Sequence, residues 1–204
     1  GLPPEGVTLL EIFSGPARDW SLCDAVRRAG GVAVALDTLY DAEHDILKDS
    51  TLRAVQSYLE AGLAKHLWMG VPCVSVTAMW AWDKPHPFRS RAEPDGIVPM
   101  PAEWEAYVAR NNDIFARSCE LARTQVGAGG TFHVENPSDL GRVGSSRYRK
   151  EAEGHVPLWI TSSVRKLSEE VGPQWISTDL CEWGAAFRKP TTIMSKGPHA
   201  HILA

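Results

Sequence analysis

The hydrophobic positions of the chain fall into short apolar segments that alternate with longer stretches in which apolar residues recur at helical spacing. The short segments predict six strands, at residues 7–12, 32–36, 66–69, 131–134, 174–177 and 191–194, of which 32–36 is continuously apolar. The stretches with helical spacing predict four helices, at residues 17–29, 52–63, 102–126 and 162–170. The two long segments 73–101 and 138–157 fit neither pattern and are predicted to be irregular.

The predicted strands are mostly apolar throughout and do not alternate with polar residues, which indicates burial on both faces. Strands of this kind that alternate with helices predict an α/β fold, with a doubly wound, mostly parallel sheet covered by helices on both sides. A chain of 204 residues is the size of one domain. We therefore expect residues 1–204 to form a single domain.

A polar motif follows four of the predicted strands, directly where each strand ends. These motifs are FSGP at 13–16, Asp37, the VPC sequence that ends at Cys73, and ENP at 135–137. In open α/β sheets, ligands bind beyond the carboxyl ends of the strands. The four motifs are therefore predicted to converge on one ligand site at that edge of the sheet.

The formal net charge of -4 argues against tight unaided binding to nucleic acid, because lysine and arginine must replace the counterions of phosphate. One basic cluster, at residues 142–150, departs from this balance, although a solvated loop would also explain it. No apolar run approaches the roughly 18 residues that cross a bilayer, so no membrane partner is expected. Four cysteines without a CxxC pair, and an HxH pair at 199–201 without a third ligand, predict no metal site and a reducing intracellular compartment.

The FSGP motif can form a strand-to-helix turn in which Gly15 lets the backbone approach a ligand closely. The chain lacks GxGxxG, so a dinucleotide fingerprint is not supported, and a tight structural turn is the alternative. Asp37 ends the second strand, where nucleotide-binding folds place an acid for the ribose hydroxyls. Asp45 adds a second acid at the same edge, and a plain surface role remains open for both aspartates.

Cys73 follows Pro72 directly after a predicted strand and should face this edge of the sheet rather than the core. A cysteine thiolate is the group best suited to add to an electron-poor ring and to leave again. The alternative is a small buried residue, which is the role predicted for Cys23 and Cys119 within their helices. Glu135 follows a buried strand and is a candidate acid for the same chemistry.

Residues 85–101, after the candidate nucleophile, are predicted to form a mobile loop that closes over a substrate. Aromatic and cationic side chains cluster in and just before this loop, at Trp80, Trp82, Lys84, Arg89 and Arg91. Such side chains stack on bases and pair with phosphates, so Arg89 is expected to contact the substrate. A packed loop anchored by its tryptophans is the alternative.

The order of these motifs resembles that of the DNA (cytosine-5)-methyltransferase family. The resemblance runs from about residue 9 to residue 193, and its most specific parts are VPC and ENP. The last motif in the order is Gly184, followed by Arg188 and Lys189. The chain is similar to a divergent, ENP-type member that lacks a target-recognition domain. The resemblance implies the Rossmann-like fold of S-adenosyl-L-methionine-dependent methyltransferases and methyl transfer to C5 of cytosine in nucleic acid.

The resemblance also implies roles for individual residues. The adenine, ribose and methionine parts of S-adenosyl-L-methionine would be bound by Phe13, Ser14, Gly15, Pro16, Asp37, Asp45, Ile46 and Pro72. Cys73 would attack C6 of a cytosine turned out of its stack, and Glu135 would hold the ring N3 and the exocyclic amine. Arg188 and Lys189, near the positions of two family arginines, would complete the catalytic set. The substrate would also contact Asn136 and Thr77.

DNA is the substrate expected over RNA, and a separate recognition subunit or domain is a further expected partner. In a eukaryote such an enzyme would act in the nucleus. The alternative function is a catalytically degenerate domain that keeps the fold and serves as a cofactor-binding or nucleic-acid-binding module. The presence of Cys73 and Glu135 favours the enzyme, whereas the negative net charge favours the module.

Overall fold

The computed structural model describes residues 1–16, 21–82, 86–183, 186 and 188–203. Within these residues one sheet contains six strands, which are β1 (Val7–Ile12), β2 (Ala33–Leu36), β3 (Ala64–Gly70), β4 (Thr131–Pro137), β5 (Gln174–Asp179) and β6 (Pro190–Lys196). The helices of the described chain are α1 (Leu22–Arg28), α2 (Asp49–Glu60), α3 (Ala102–Gly127) and α4 (Ser162–Val171). The predicted helix at 17–29 has its first four residues outside the described part.

The strands are arranged in the order β2-β1-β3-β4-β6-β5. The pairings among β2, β1, β3 and β4 are parallel, whereas β6 runs antiparallel to both of its neighbours. The sheet is therefore mixed, and the predicted α/β class is confirmed in a form compatible with a Rossmann-like fold. The order reverses between β1 and β3, which is the kind of switch point where α/β sheets bind ligands.

The strand registers bring several chain turns to one edge of the sheet. Ile12 pairs with Leu36 and Met69, so β1, β2 and β3 end at nearly the same level. Gly70 pairs with Glu135, which aligns the end of β3 with the end of β4. Because β6 is antiparallel, its first residues lie at this same level. We call this side of the sheet the carboxyl edge.

The principal core lies between one face of the sheet and the layer formed by α2, α3 and α4. Leu10, Leu67 and Phe132 project from the sheet into this core and are fully buried. Helix α1 covers part of the opposite face, where Cys23 packs against Leu9. Helices therefore contact both faces, as the doubly wound prediction requires. No helix of the described residues combines the length and the apolarity needed to cross a bilayer.

The opposite face also carries a polar stack on β3 and β4. The rings of His66 and His133 lie parallel with their centroids 5.5 Å apart, and Trp68 flanks His133 at 5.3 Å. The Nδ1 atom of His133 lies 2.9 Å from the hydroxyl oxygen of Ser195. Burial, followed by the charge of His66, lowers the pKa of His133 to about 4. His133 is thus a packed, neutral strand residue.

The segment between β3 and α3 is irregular, as predicted, apart from a short 3-10 turn at Ala78–Ala81. It is not loose, however. Phe88 is fully buried and its ring contacts the rings of Trp80 and Trp104, with centroids 5.1 and 4.8 Å away. This packing favours the alternative of an aromatic-anchored loop at residues 86–89, whereas residues 91–93 and 98–99 are exposed, and closure over a substrate stays a prediction. Lys84 and Pro85 lie outside the described residues.

Candidate active site at the carboxyl edge

The FSGP motif turns the chain away from β1 over the end of β3. Phe13 has a positive φ of 61°, which is uncommon for a residue with a side chain and is typical of functional turns. Its N–H donates to the carbonyl of Leu36 at 2.9 Å. A Cβ atom at Gly70 would lie 3.1 Å from the Phe13 carbonyl oxygen, so the lack of a side chain at Gly70 allows this close approach.

Asp37 holds this turn closed. One carboxylate oxygen accepts a hydrogen bond from the N–H of Gly15 at 2.8 Å, and the other accepts from the N–H of Leu39 at 2.9 Å. The hydroxyl of Tyr40 donates to the Gly15 carbonyl at 2.7 Å. Gly15 itself has a φ of 69°, which favours glycine. A carboxylate has about four acceptor positions, so about two remain on Asp37 for a ligand.

Asp45 and Ile46 lie on the loop that follows β2. The Asp45 carboxylate accepts from the N–H of Leu47 at 3.0 Å and pairs with Arg110 at 3.3 Å. The Ile46 side chain is fully buried in the principal core, and its carbonyl accepts from Arg117 at 3.0 Å. Of this predicted pair, Asp45 therefore presents a side chain to the edge, while Ile46 can offer only its backbone.

A cleft of about 350 Å³ lies beside the FSGP turn and is lined by Ser14, Pro16, Tyr40 and residues of β1, α1 and β2. Glu11 also lines it, although its side chain is almost wholly buried. One Glu11 carboxylate oxygen has no hydrogen-bond partner among the described residues, and burial raises the pKa of this carboxyl. Sequence reasoning missed Glu11, for which the signal was an acid inside the apolar run just before FSGP.

Cys73, Glu135 and Lys189 form the electrostatic centre of the edge. Lys189 precedes β6, and its ammonium group lies 3.1 Å from a carboxylate oxygen of Glu135. Cys73, next to Pro72, is half-buried, and burial raises the pKa of its thiol. The charge of Lys189 acts against this rise and the charge of Glu135 adds to it. The nucleophile candidate, the acid candidate and one predicted cation are therefore brought together.

Asn136 supports the segment that carries the cysteine. Its side-chain amide donates to the carbonyl of Val71 at 2.6 Å, two residues before Cys73, and its side chain is buried. The other amide atom, Oδ1, is buried without a hydrogen-bond partner among the described residues. The amide nitrogen of Asn136 therefore positions the backbone ahead of Cys73, and the contact of Asn136 with a substrate stays a prediction.

Arg89 has a structural role, and the prediction that it contacts the substrate is wrong. Its side chain is 1% exposed. The guanidinium donates to the backbone carbonyl and the hydroxyl of Ser75, both at 3.2 Å, and to the carbonyl of Pro94 at 2.6 Å. Burial lowers the pKa of Arg89 to about 10. Because these donors are engaged inside the protein, Arg89 fixes the chain that follows Cys73 and is not presented to a phosphate.

The remaining predicted residues lie around this centre. Thr77 begins the short 3-10 turn, where its hydroxyl accepts from the N–H of Met79 at 3.5 Å. Arg188 pairs with Asp179 at 3.0 Å, whereas Lys189 pairs with Glu135 at 3.1 Å. The two predicted catalytic cations therefore separate, and only Lys189 contacts the acid. Gly184 lies outside the described residues.

The opposite charges beside Cys73 lead to a prediction of opposite sign for two variants. Lys189→Met should raise the pKa of the Cys73 thiol further and slow its alkylation by iodoacetamide near pH 7.5, by about 3- to 10-fold. Glu135→Gln should lower that pKa and speed alkylation. Peptide mass spectrometry can follow the rate at Cys73, with exposed Cys181 as the internal reference. Rates that move in the same direction in both variants would contradict this arrangement of charges.

The chemistry available at this edge is that of a nucleophile beside an acid and a cation. No group of three or more histidine, cysteine, aspartate or glutamate side chains able to hold a metal ion occurs among the described residues.

No protein-family model matches the chain, and no curated protein matches it.

Proposed function

We propose that the protein transfers a methyl group from S-adenosyl-L-methionine to C5 of cytosine in nucleic acid, with Cys73 as the nucleophile. The observation that carries this proposal is the joint position of Cys73, Glu135 and Lys189 at the carboxyl edge. The edge also holds the FSGP turn, next to the switch point where α/β sheets bind ligands. A nucleophile, a proton-handling group and a ligand turn on neighbouring strands suit a two-substrate transfer.

The residues present fit the cofactor on three counts. The cleft beside the FSGP turn has the size of a small-ligand site, within the range of roughly 300–1,000 Å³. Glu11 presents an unpartnered buried carboxylate oxygen in it, which can accept from an ammonium group. Asp37 keeps acceptor positions for ribose hydroxyls. Ser14, which lines the cleft, and Phe13, Gly15 and Asp45, which do not, would complete the contacts. The bound cofactor supplies an electrophilic methyl group.

The chain's own residues account for the remaining chemistry. The Cys73 thiolate adds to C6 of a cytosine held outside its stack, while Glu135 hydrogen-bonds N3 and the exocyclic amine and so draws electrons away from C6. Lys189 favours the thiolate through its charge and orients Glu135 through the ion pair. C5 takes the methyl group, with S-adenosylhomocysteine as the leaving group, and then loses its proton to water. The sulfur leaves C6 as a thiolate as the ring double bond re-forms.

A cofactor-binding or nucleic-acid-binding module without catalysis is the second candidate. The observation in its favour is the raised pKa of the Cys73 thiol, because a protonated thiol is a poor nucleophile. The two candidates separate in one assay. Labelled S-adenosyl-L-methionine and a single-stranded cytosine oligonucleotide should yield 5-methylcytosine, identified by mass spectrometry after digestion. Binding of both ligands without any product would leave the module and reject the enzyme. DNA is the proposed strand, and an RNA oligonucleotide in the same assay tests that choice.

Asp37→Ala should weaken the binding of S-adenosylhomocysteine by about 10- to 100-fold, because charge-assisted hydrogen bonds to the ribose are lost. The measurement is isothermal titration calorimetry on the folded variants. Asp49→Ala is the matched control, since Asp49 is an exposed acid that pairs with Arg117 away from the turn. Tyr40→Phe removes the hydrogen bond from the Tyr40 hydroxyl to the Gly15 carbonyl and keeps the Asp37 carboxylate. It therefore separates loss of a hydrogen bond that holds the turn from loss of the carboxylate. Equal losses in Asp37→Ala and Asp49→Ala, or no binding by the unmodified protein, would reject the cofactor site.

A further inference from the structure

Two adjoining hollows lie at the ends of β4 and β5, away from the FSGP turn. The larger measures about 510 Å³ and is lined by residues of β5, β6 and the segment after β4. The smaller measures about 150 Å³ and lies between residues 146–149 and the start of β6. Arg147 lines both of them. We call the two hollows together the outer cleft.

Two tryptophans form the aromatic wall of the outer cleft. The rings of Trp159 and Trp175 meet edge to face, with centroids 5.3 Å apart and planes at 89°. Trp159 is fixed because its indole N–H donates to the carbonyl of Pro137 at 2.9 Å. Trp175 lies on the edge strand β5 and is 45% exposed, although it is a large apolar side chain. An exposed indole braced by a fixed one provides a flat surface on which a planar ring can stack.

The outer cleft is positively charged in a chain whose net charge is negative. The arginines that line it are Arg91, Arg142, Arg147, Arg149 and Arg188. Three carboxylates offset them in part, since Asp139 pairs with Arg91, Asp179 pairs with both Arg147 and Arg188, and Glu182 accepts from the backbone of Asp179. Among the residues that line the two hollows, five arginines therefore face one carboxylate, Asp139, while Glu151 and Glu153 act on the lining residue Tyr148 from the same segment.

Asp179 orients the cations between the two hollows. Its carboxylate accepts from Arg147 at 2.8 Å and from Arg188 at 3.0 Å. Although burial acts to raise the pKa of Asp179, the two arginines lower it below its ordinary value, so the acid stays charged and holds both guanidinium groups. Arg188 is nevertheless 65% exposed at its side chain and adjoins Lys189 in the chain. The cationic wall therefore continues to the residue that pairs with Glu135.

We propose that the outer cleft binds a nucleotide next to the target base in a single strand of nucleic acid, with its base against Trp175 and its phosphate among Arg142, Arg147 and Arg188. Flat apolar surface beside guanidinium groups is the combination that binds single strands without reading their sequence. The inference rests on the proposed function, because it takes nucleic acid as the substrate. It adds a substrate-binding surface separate from the cysteine and the FSGP turn.

The test is fluorescence anisotropy with a labelled twelve-residue oligodeoxythymidylate, measured over a range of salt concentrations. Trp175→Leu should weaken binding by about 5- to 100-fold, the effect of losing one stacked base, and should leave the salt dependence unchanged. Trp175→Phe should restore most of the affinity, because it keeps an aromatic face. Arg142→Ala should instead reduce the salt slope by about 0.7, the value for one phosphate contact on a single strand.

Arg53→Ala is the matched control for Arg142→Ala. Arg53 is an exposed arginine on α2 and is not among the residues that line the outer cleft. Unchanged affinity in Trp175→Leu, or equal effects of Arg53→Ala and Arg142→Ala, would overturn the inference. An acidic peptide that competes fully with the oligonucleotide would assign the cleft to a protein partner and would also overturn it. Binding of S-adenosylhomocysteine is measured separately. If the protein failed to bind it, oligonucleotide binding that depends on Trp175 would still support the outer cleft as a site for single-stranded nucleic acid.

Discussion

Cys73→Ala should abolish the covalent adduct with 5-fluorocytosine and lower methyl transfer by at least about three orders of magnitude, as expected for loss of a sole nucleophile. With fluorine at C5 there is no proton to remove after methyl transfer, so the bond between sulfur and C6 persists and the adduct accumulates. A single-stranded oligonucleotide with one 5-fluorocytosine, incubated with cofactor, should therefore shift the unmodified protein on a denaturing gel. The modified peptide should contain Cys73.

Cys181→Ala is the control for Cys73→Ala, because Cys181 is an exposed free thiol outside the cluster. It should keep full adduct formation. Cys23 and Cys119 should not react, since burial raises the pKa of their thiols to about 12 and about 11. An adduct that survives in Cys73→Ala would identify a different nucleophile. If the unmodified protein formed the adduct without cofactor, addition of the sulfur to C6 would not depend on methyl transfer.

Phe88→Ala should destabilise the protein by about 3–5 kcal/mol, the usual cost of truncating a buried phenylalanine. The ring is fully buried and contacts the rings of His86 and Trp104 with centroids 4.6 and 4.8 Å away. Chemical denaturation followed by circular dichroism measures the free energy of unfolding. Met79→Ala, on the same segment, removes a side chain that is 78% exposed and should cost less than about 0.5 kcal/mol.

The difference in stability between Phe88→Ala and Met79→Ala also bears on function. A large cost for Phe88→Ala would mean that the aromatic cluster holds the segment after Cys73 in place, so that the segment is not free to close over a substrate. Limited proteolysis should accordingly leave residues 86–101 uncut in the unmodified protein and cut them in Phe88→Ala. A cost below about 1 kcal/mol for Phe88→Ala would contradict this packing, since burial of a phenylalanine side chain is worth more than that. The idea of a closing loop would then return.

The strand and helix positions could be predicted from the sequence because they depend on the period of the apolar residues. The long helix predicted at 102–126 is observed at Ala102–Gly127, and all six strands occur within a few residues of their predicted bounds. The antiparallel direction of β6 could not be predicted in this way. An apolar run has the same pattern in either direction, and only the pairing with β4 and β5 decides it.

The placement of the candidate residues could be predicted where it depends on strand ends and was missed where it depends on loop packing. Cys73 and Glu135 lie at the same edge because the register aligns the end of β3 with the end of β4, and their positions directly after predicted strands already indicated that edge. Arg89 was assigned to a substrate because it lies in a cluster of aromatic and cationic side chains, which suits stacking on bases and pairing with phosphates. It is buried here since backbone carbonyls and the hydroxyl of Ser75 take up its donors. No periodic pattern in a loop reveals such partners, so the sequence carried no signal for this role.

The register of β6 determines both the burial of Met194 in the core and the position of Lys189 beside Glu135. Met194 is fully buried and pairs with Val134, while Ile193 pairs with Glu135, so alternate residues of β6 face opposite sides of the sheet. A slip of one residue would withdraw Met194 from the core and turn the side chain of Lys189 away from Glu135 at the same time. A replacement at Met194 therefore keeps Lys189 beside Glu135, and with it the charges that act on Cys73, only if it keeps β6 in register.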